Sequence, residues 1–167
     1  MAERKRNEPP KHATSMEIVG DRELVISRTF RAPARLVFDA WTRSDLVRLW
    51  WAPRSRGVQV VDIAADVRPG GAWRYQLEAH GSPVVFSGQY TEVTPPTRLV
   101  YTLMFEQNPS PPVVVTITFT DVAEGTRLVS RELYPSAEVR DIVLATGMEE
   151  GMRETLDQLD ELVASMA

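Results

Sequence analysis

The chain contains no cysteine. Disulfides, thiolate nucleophiles and thiolate metal sites are thereby excluded, and a reducing, cytoplasmic setting is the natural expectation. Histidine is scarce as well, with His12 near the N-terminus and His80 in a turn-like segment. No His-x-x-x-His or carboxylate–histidine cluster occurs, so no metal or other cofactor is expected. No run of about 18 apolar residues offers a membrane span. The formal net charge is only −4, without the basic balance that phosphate binding needs, so neither nucleic acid nor a membrane is an expected partner. Residues 1–10 carry charges with no apolar stretch behind them, which is not a secretory signal. Residues 1–15 read as a disordered tail, and residues 16–167 as one domain of ordinary size.

What is present is a hydrophobic period that changes along the chain. Residues 23–31 are β-rich and half alternating, a first strand. Pro33 suits the first position of a helix, and Leu36, Val37, Ala40 and Trp41 recur at helical spacing. Ser44 and Asp45 can cap a second short helix carrying Leu46, Val47, Leu49, Trp50 and Trp51, which Pro53 ends. From residue 57 the period is two. Val58, Val60 and Ile63 mark one strand; Trp73, Tyr75 and Leu77 the next; Phe86, Gly88 and Tyr90 a third. Leu99, Tyr101, Leu103 and Phe105 follow, then Val113, Val115, Ile117 and Phe119, then residues 127–133. Gly- and Pro-rich turns separate them, which predicts an antiparallel meander. A long helix is expected from about 138 to 165, its apolar stripe being Ile142, Ala145, Met148, Met152, Leu156, Leu159, Val163 and Met166. The predicted fold class is α+β: a curved antiparallel seven-stranded sheet around a long C-terminal helix, with two short helices after strand one.

A sheet curled around one helix leaves a space between them wherever large side chains do not fill it. Gly147 and Gly151 lie four apart in the predicted helix, each costing about 1 kcal/mol relative to alanine. Close backbone approach or room for a ligand would account for them. Met148 and Met152 beside them pack adaptably. The expected function is binding of a small apolar or aromatic ligand in this cavity. The candidate lining is Trp41, Trp51, Trp73, Tyr75, Phe86, Tyr90, Tyr101, Leu103, Glu132, Met148 and Met152.

The last strand places a charge on the inner face whichever way it points. If Leu128 faces in, so do Ser130 and Glu132; if Val129 does, so do Arg127, Arg131 and Leu133. Glu132 and Arg131 are thus the polar candidates for orienting a ligand. No catalytic residue is assigned. An enzyme on the same scaffold, acting on a polyketide-like substrate, would need one acid–base group, with Glu132, Arg131 or Tyr75 the choices. A protein-interaction role, including a homodimer, would be favoured by exposed Trp50 or Trp51.

Residues 28–33 (Arg-Thr-Phe-Arg-Ala-Pro) followed by residues 37–41 (Val-Phe-Asp-Ala-Trp) resemble the opening of the Hsp90-ATPase-activator-homologue-like family. Residues 49–53 (Leu-Trp-Trp-Ala-Pro) and 68–71 (Arg-Pro-Gly-Gly) continue the resemblance, as do residues 86–93, 95–102 and 125–128, so that it spans about 24 to 164. The resemblance implies the START-like, helix-grip superfamily, whose members are similar to lipid carriers, polyketide cyclases and pollen-allergen-type ligand binders. The family's Gly-Trp pair in the last helix stands here as Gly151-Met152, which implies a larger pocket. Co-chaperone activity goes with relatives that carry a further domain, and Hsp90 activation is not expected of this chain.

Overall fold

A computed structural model describes residues 13–167. Its elements are β1 (Ser15–Val19), β2 (Glu23–Phe30), α1 (Ala34–Thr42), α2 (Ser44–Val47), β3 (Val58–Ala65), β4 (Ala72–Ala79), β5 (Ser82–Thr94), β6 (Arg98–Phe105), β7 (Val113–Val122), β8 (Gly125–Leu133), α3 (Ala137–Ala145) and α4 (Met148–Met166). All strand pairings are antiparallel, in the order β1-β2-β8-β7-β6-β5-β4-β3. The sheet has eight strands rather than the expected seven. The additional one, β1, begins at Ser15 and pairs with β2 through Met16 opposite Ile26 and Ile18 opposite Leu24. As an edge strand it buries little, and Ile18 remains 60% exposed. The period-two signal is correspondingly weak there.

The two short helices follow β2 as the sequence predicts. The N-terminus of α1 has no side-chain cap of its own. Asp121, at the end of β7, accepts the Ala34 amide at 2.9 Å instead, which satisfies an orphan donor and ties the helix to the sheet. Phe38 and Trp41 then lie on Phe119, with ring centroids 5.3 and 6.4 Å apart. This closes one end of the concave face.

The predicted single C-terminal helix is broken. Gly147 adopts φ 76° between α3 and α4, the left-handed conformation that ends a helix with least strain in glycine. Ser136 caps α3 by accepting the Val139 amide at 3.2 Å. The apolar stripe holds only beyond the break. Leu156, Leu159 and Val163 are buried, whereas Ile142 is 54% exposed and Ala145 faces solvent. Gly151 requires neither a close approach nor a ligand space: a Cβ there would meet Pro53 Cγ at 3.8 Å and Arg56 Cδ at 3.9 Å, ordinary contacts. Gly151→Ala is therefore expected to raise stability by about 0.5 kcal/mol, read as a higher urea midpoint at unchanged slope.

Two sets of polar contacts set the position of α4. Gln158, buried, donates to the carbonyls of Trp50 (3.0 Å) and Ala52 (2.8 Å) and accepts the Arg54 amide at 3.1 Å. On the sheet side, Arg28 projects inward between Ile26 and Phe30 and is 4% exposed. It bonds Asp157 and lies 3.6 Å from Asp160, itself 4% exposed. Asp160 also accepts from the Arg31 backbone N–H (3.1 Å) and from Arg31 Nε (3.0 Å). An ion pair this buried is held by geometry rather than by net Coulombic gain, and it specifies where the helix lands.

Candidate functional site

The concave face divides into a closed end and an open end. At the closed end aromatic rings from four elements meet. Trp41 comes from α1, Trp51 from the turn after α2, Trp73 and Tyr75 from β4, and Tyr101 from β6. Alternation along β4 puts Trp73 and Tyr75 on the inner face, and the Tyr75–Phe86 and Trp73–Gly88 pairs carry that parity into β5. Trp41 meets Trp51 at 6.3 Å, Trp51 meets Tyr75 at 5.0 Å, Tyr75 meets Trp73 at 4.8 Å and Trp73 meets Tyr101 at 5.6 Å. Trp41 and Tyr101, at the two ends of this series, line the same void. Three of these contacts are edge-to-face and the Trp73–Tyr75 contact is tilted; such pairs are each worth about 1 kcal/mol beyond area burial. With Tyr90 and Leu99 they line a void of about 10 Å³, at the lower limit for one water. The enlarged pocket implied by Gly151-Met152 is absent at this end, because the rings of α1, β4 and β6 fill it.

Exposure rises toward the other end. Along β7, Phe119, Ile117 and Val115 are buried and Val113 is half-buried; along β6, Leu99 and Tyr101 are buried while Leu103 and Phe105 are not fully covered. Phe86 of β5 repeats the pattern and meets Phe105 at 5.5 Å. Helix α3 reaches this end through Arg140, which donates to the Gly20 carbonyl in the β1–β2 turn at 2.9 Å. In α3 the one buried residue is Arg140. Met152 packs against the core while remaining half-buried; Met148 is half-buried and is not part of that contact.

The structure therefore brings together six expected lining residues, Trp41, Trp51, Trp73, Tyr75, Tyr90 and Tyr101, around one void. Phe86, Leu103 and Met152 join at the half-open end. Leu99, Phe105 and Val113 complete the lining and were readable from the same alternation. Trp50 is 2% exposed and donates from Nε1 to the Ala40 carbonyl at 2.8 Å. Trp51 is half-buried in the ring cluster. Neither tryptophan supplies the exposed contact patch that an interaction role called for.

The parity of β8 is decided by register. Glu132 lies opposite Leu24 of β2 and Val115 of β7, both inward, so Leu128, Ser130 and Glu132 face the interior. Arg131 points outward and pairs with Glu23 at 2.8 Å, which removes it as a ligand-orienting or catalytic candidate. Glu132 accepts a 2.7 Å hydrogen bond from the Tyr134 hydroxyl. Burial holds its carboxyl above the ordinary glutamate value, with the Tyr134 bond acting the other way. Burial likewise raises Tyr75, Tyr90 and Tyr101, so their hydroxyls stay protonated.

A raised carboxyl means that the folded chain binds the proton more tightly than the unfolded chain. The associated stability is complete below the unfolded value, about 4.3, and is lost as pH rises through the folded one. Glu132→Gln cannot ionise. Between about pH 4 and pH 7 its stability is expected to improve relative to wild type, as measured by parallel urea titrations. Parallel profiles would show that Glu132 titrates normally.

Solved bacterial structures share this architecture. A protein from Rhodobacter sphaeroides superposes with a TM-score of 0.84 at 24% identity, over 91% of this chain and 99% of that one. Protein NE0264 from Nitrosomonas europaea matches with a TM-score of 0.79 at 27% identity, over 89% and 98%. Protein Ms6760 from Mycobacterium smegmatis matches with a TM-score of 0.79 at 28% identity, over 90% and 96%. No functionally curated protein matches the sequence. The family model for activator of Hsp90 ATPase homolog 1-like proteins matches residues 31–164. With that match over most of its length, the chain belongs to the activator of Hsp90 ATPase homolog 1-like protein family.

Proposed function

We propose that the chain binds a small apolar or aromatic molecule between the sheet and the C-terminal helices. The observation that carries this reading is the gradient along the concave face. A continuous apolar lining is filled by rings at one end and left half-covered at the other, and helix α3 contributes no side chain to the hydrophobic core. Such a surface is stable in water when something covers it. The void of about 10 Å³ means that a ligand enters by displacing side chains and α3, not by filling existing space. Gly147, whose left-handed backbone joins α3 to α4, is the natural hinge.

Two measurements test this. Native mass spectrometry of protein from its own host is expected to show a co-purifying apolar molecule that denaturation releases. Amide exchange is expected to be faster across residues 137–147 than across 155–163, because few buried contacts hold the first segment. Adding an apolar aromatic probe should slow exchange in the first segment and quench tryptophan emission from the Trp41–Trp51–Trp73 cluster. A clean apo mass together with no change in exchange or emission across a panel of apolar probes would defeat the proposal.

A further inference from the structure

We infer that this site selects a ligand whose polar end is a hydrogen-bond donor, an amine before an alcohol, and discriminates against carboxylates, with Glu132 as the specificity-determining acceptor. The inference rests on the proposed ligand site and adds its chemical preference. One lateral row crosses the concave face: Tyr90 opposite Tyr101, Tyr101 opposite Val115, Val115 opposite Glu132, and Glu132 opposite Leu24. Neighbouring strands lie about 4.8 Å apart. The short side chain of Val115 therefore leaves a low point flanked by a phenol and a carboxyl. The row sits where burial gives way to the half-open mouth, within reach of a ligand's polar end.

Glu132 has acceptor capacity to spare. Tyr134 bonds only its Oε2, and neither oxygen takes part in an ion pair among the described residues. The cations along the helix–sheet seam are already engaged. Arg28 serves Asp157 and Asp160. Arg140 donates to the Gly20 carbonyl at 2.9 Å and lies 3.4 Å from Asp141. Arg153 bonds Glu149 at 2.7 Å and the Thr14 carbonyl. A ligand carboxylate would thus be desolvated beside a second carboxyl, with no unengaged seam cation among the described residues to neutralise it. An amine meets the reverse situation, an acceptor with a free oxygen and ring faces that attract cations. The raised carboxyl of Glu132 is what a buried acid without a cationic partner shows.

The test uses the full chain and three probes with one apolar body: 1-naphthylmethylamine, 1-naphthylmethanol and 1-naphthoate, titrated by calorimetry near neutral pH. The amine is expected to bind at least about tenfold more tightly than naphthoate, with the alcohol between them. In Glu132→Gln the amine should lose about tenfold, the alcohol should change little because the amide still accepts, and naphthoate should gain because the amide can donate. Equal wild-type affinities, or an amine preference that survives in Glu132→Gln, would overturn the selectivity while leaving the ligand site standing. Failure of all three probes to bind would overturn both. If the variant does not fold, the wild-type order alone decides.

Discussion

Asp160→Ala is expected to lower the unfolding free energy by about 3 kcal/mol. Asp160 is 4% exposed, faces Arg28 at 3.6 Å and takes two hydrogen bonds from Arg31. Alanine would leave Arg28, also 4% exposed, with only the solvent-facing Asp157 among the described residues to neutralise it. Arg28 Nε is already a buried donor without a hydrogen-bond partner among the described residues, so the site has little capacity to absorb a further loss. Removing one member of a buried pair costs far more than the pair contributes, because the survivor stays desolvated. The reverse experiment separates this cause from simple loss of packing. In an Arg28→Met/Asp160→Leu double variant no buried charge remains, and most of the loss should be recovered. The Arg31 amide would still lack its acceptor, so recovery stays short of complete. Equilibrium urea unfolding of wild type, single and double variants closes the cycle. A loss below about 1 kcal/mol in Asp160→Ala would mean that water reaches Arg28.

These two residues also show where sequence reading stops. The strands were legible because inner positions such as Trp73, Tyr75 and Leu77 alternate with polar neighbours, and the short helices because Leu36, Val37, Ala40 and Trp41 recur at helical spacing. Arg28 occupies an inward position between Ile26 and Phe30, and Asp160 sits within the stripe of Leu156, Leu159 and Val163. Each is visible in the sequence as a charge in an apolar place. That the two satisfy each other is a tertiary fact. The inward choice for Glu132 was likewise beyond the sequence, since alternation alone allows both parities and a one-residue slip exchanges them. Pairing with Leu24 and Val115 settles it. The threes-and-fours spacing predicts Gly147 inside a continuous helix, although glycine at this kind of position more often ends one. The aromatic residues of the site could be named in advance, but not the space among them, because a void depends on how rings tilt.

The distribution of these features relates stability to function. The Arg28–Asp160 pair, the Gln158 contacts and the ring cluster all hold the closed end or the C-terminal part of α4. Among the described residues α3 is tied to the sheet by the bond from Arg140 to the Gly20 carbonyl, and it places no side chain in the hydrophobic core. A ligand can therefore be admitted by rearranging the least stable segment while the sheet and the end of α4 stay fixed.

Gly88→Ala is the second large effect, again about 3 kcal/mol destabilising. Gly88 faces inward opposite Trp73. A Cβ there would stand 1.7 Å from the Thr102 carbonyl oxygen and 2.8 Å from Trp73 Nε1. The first contact is with backbone, so no rotamer change relieves it; strands β5 and β6 would have to part. The second falls on the hydrogen bond that Trp73 Nε1 donates to the same Thr102 carbonyl at 3.1 Å. Losing that bond would leave a buried indole N–H unsatisfied and would free the Trp73 ring to tilt out of the cluster with Tyr75 and Tyr101. The same chemical change at Gly151 is expected to stabilise, so the pair of variants opposes steric context to helix propensity with one added methyl group. Tryptophan emission and near-ultraviolet circular dichroism of folded Gly88→Ala should also change, since Trp73 is displaced. A stability within about 0.5 kcal/mol of wild type would show that β5 and β6 can separate at Gly88 without cost, and the rigid closed end described above would then have to be abandoned.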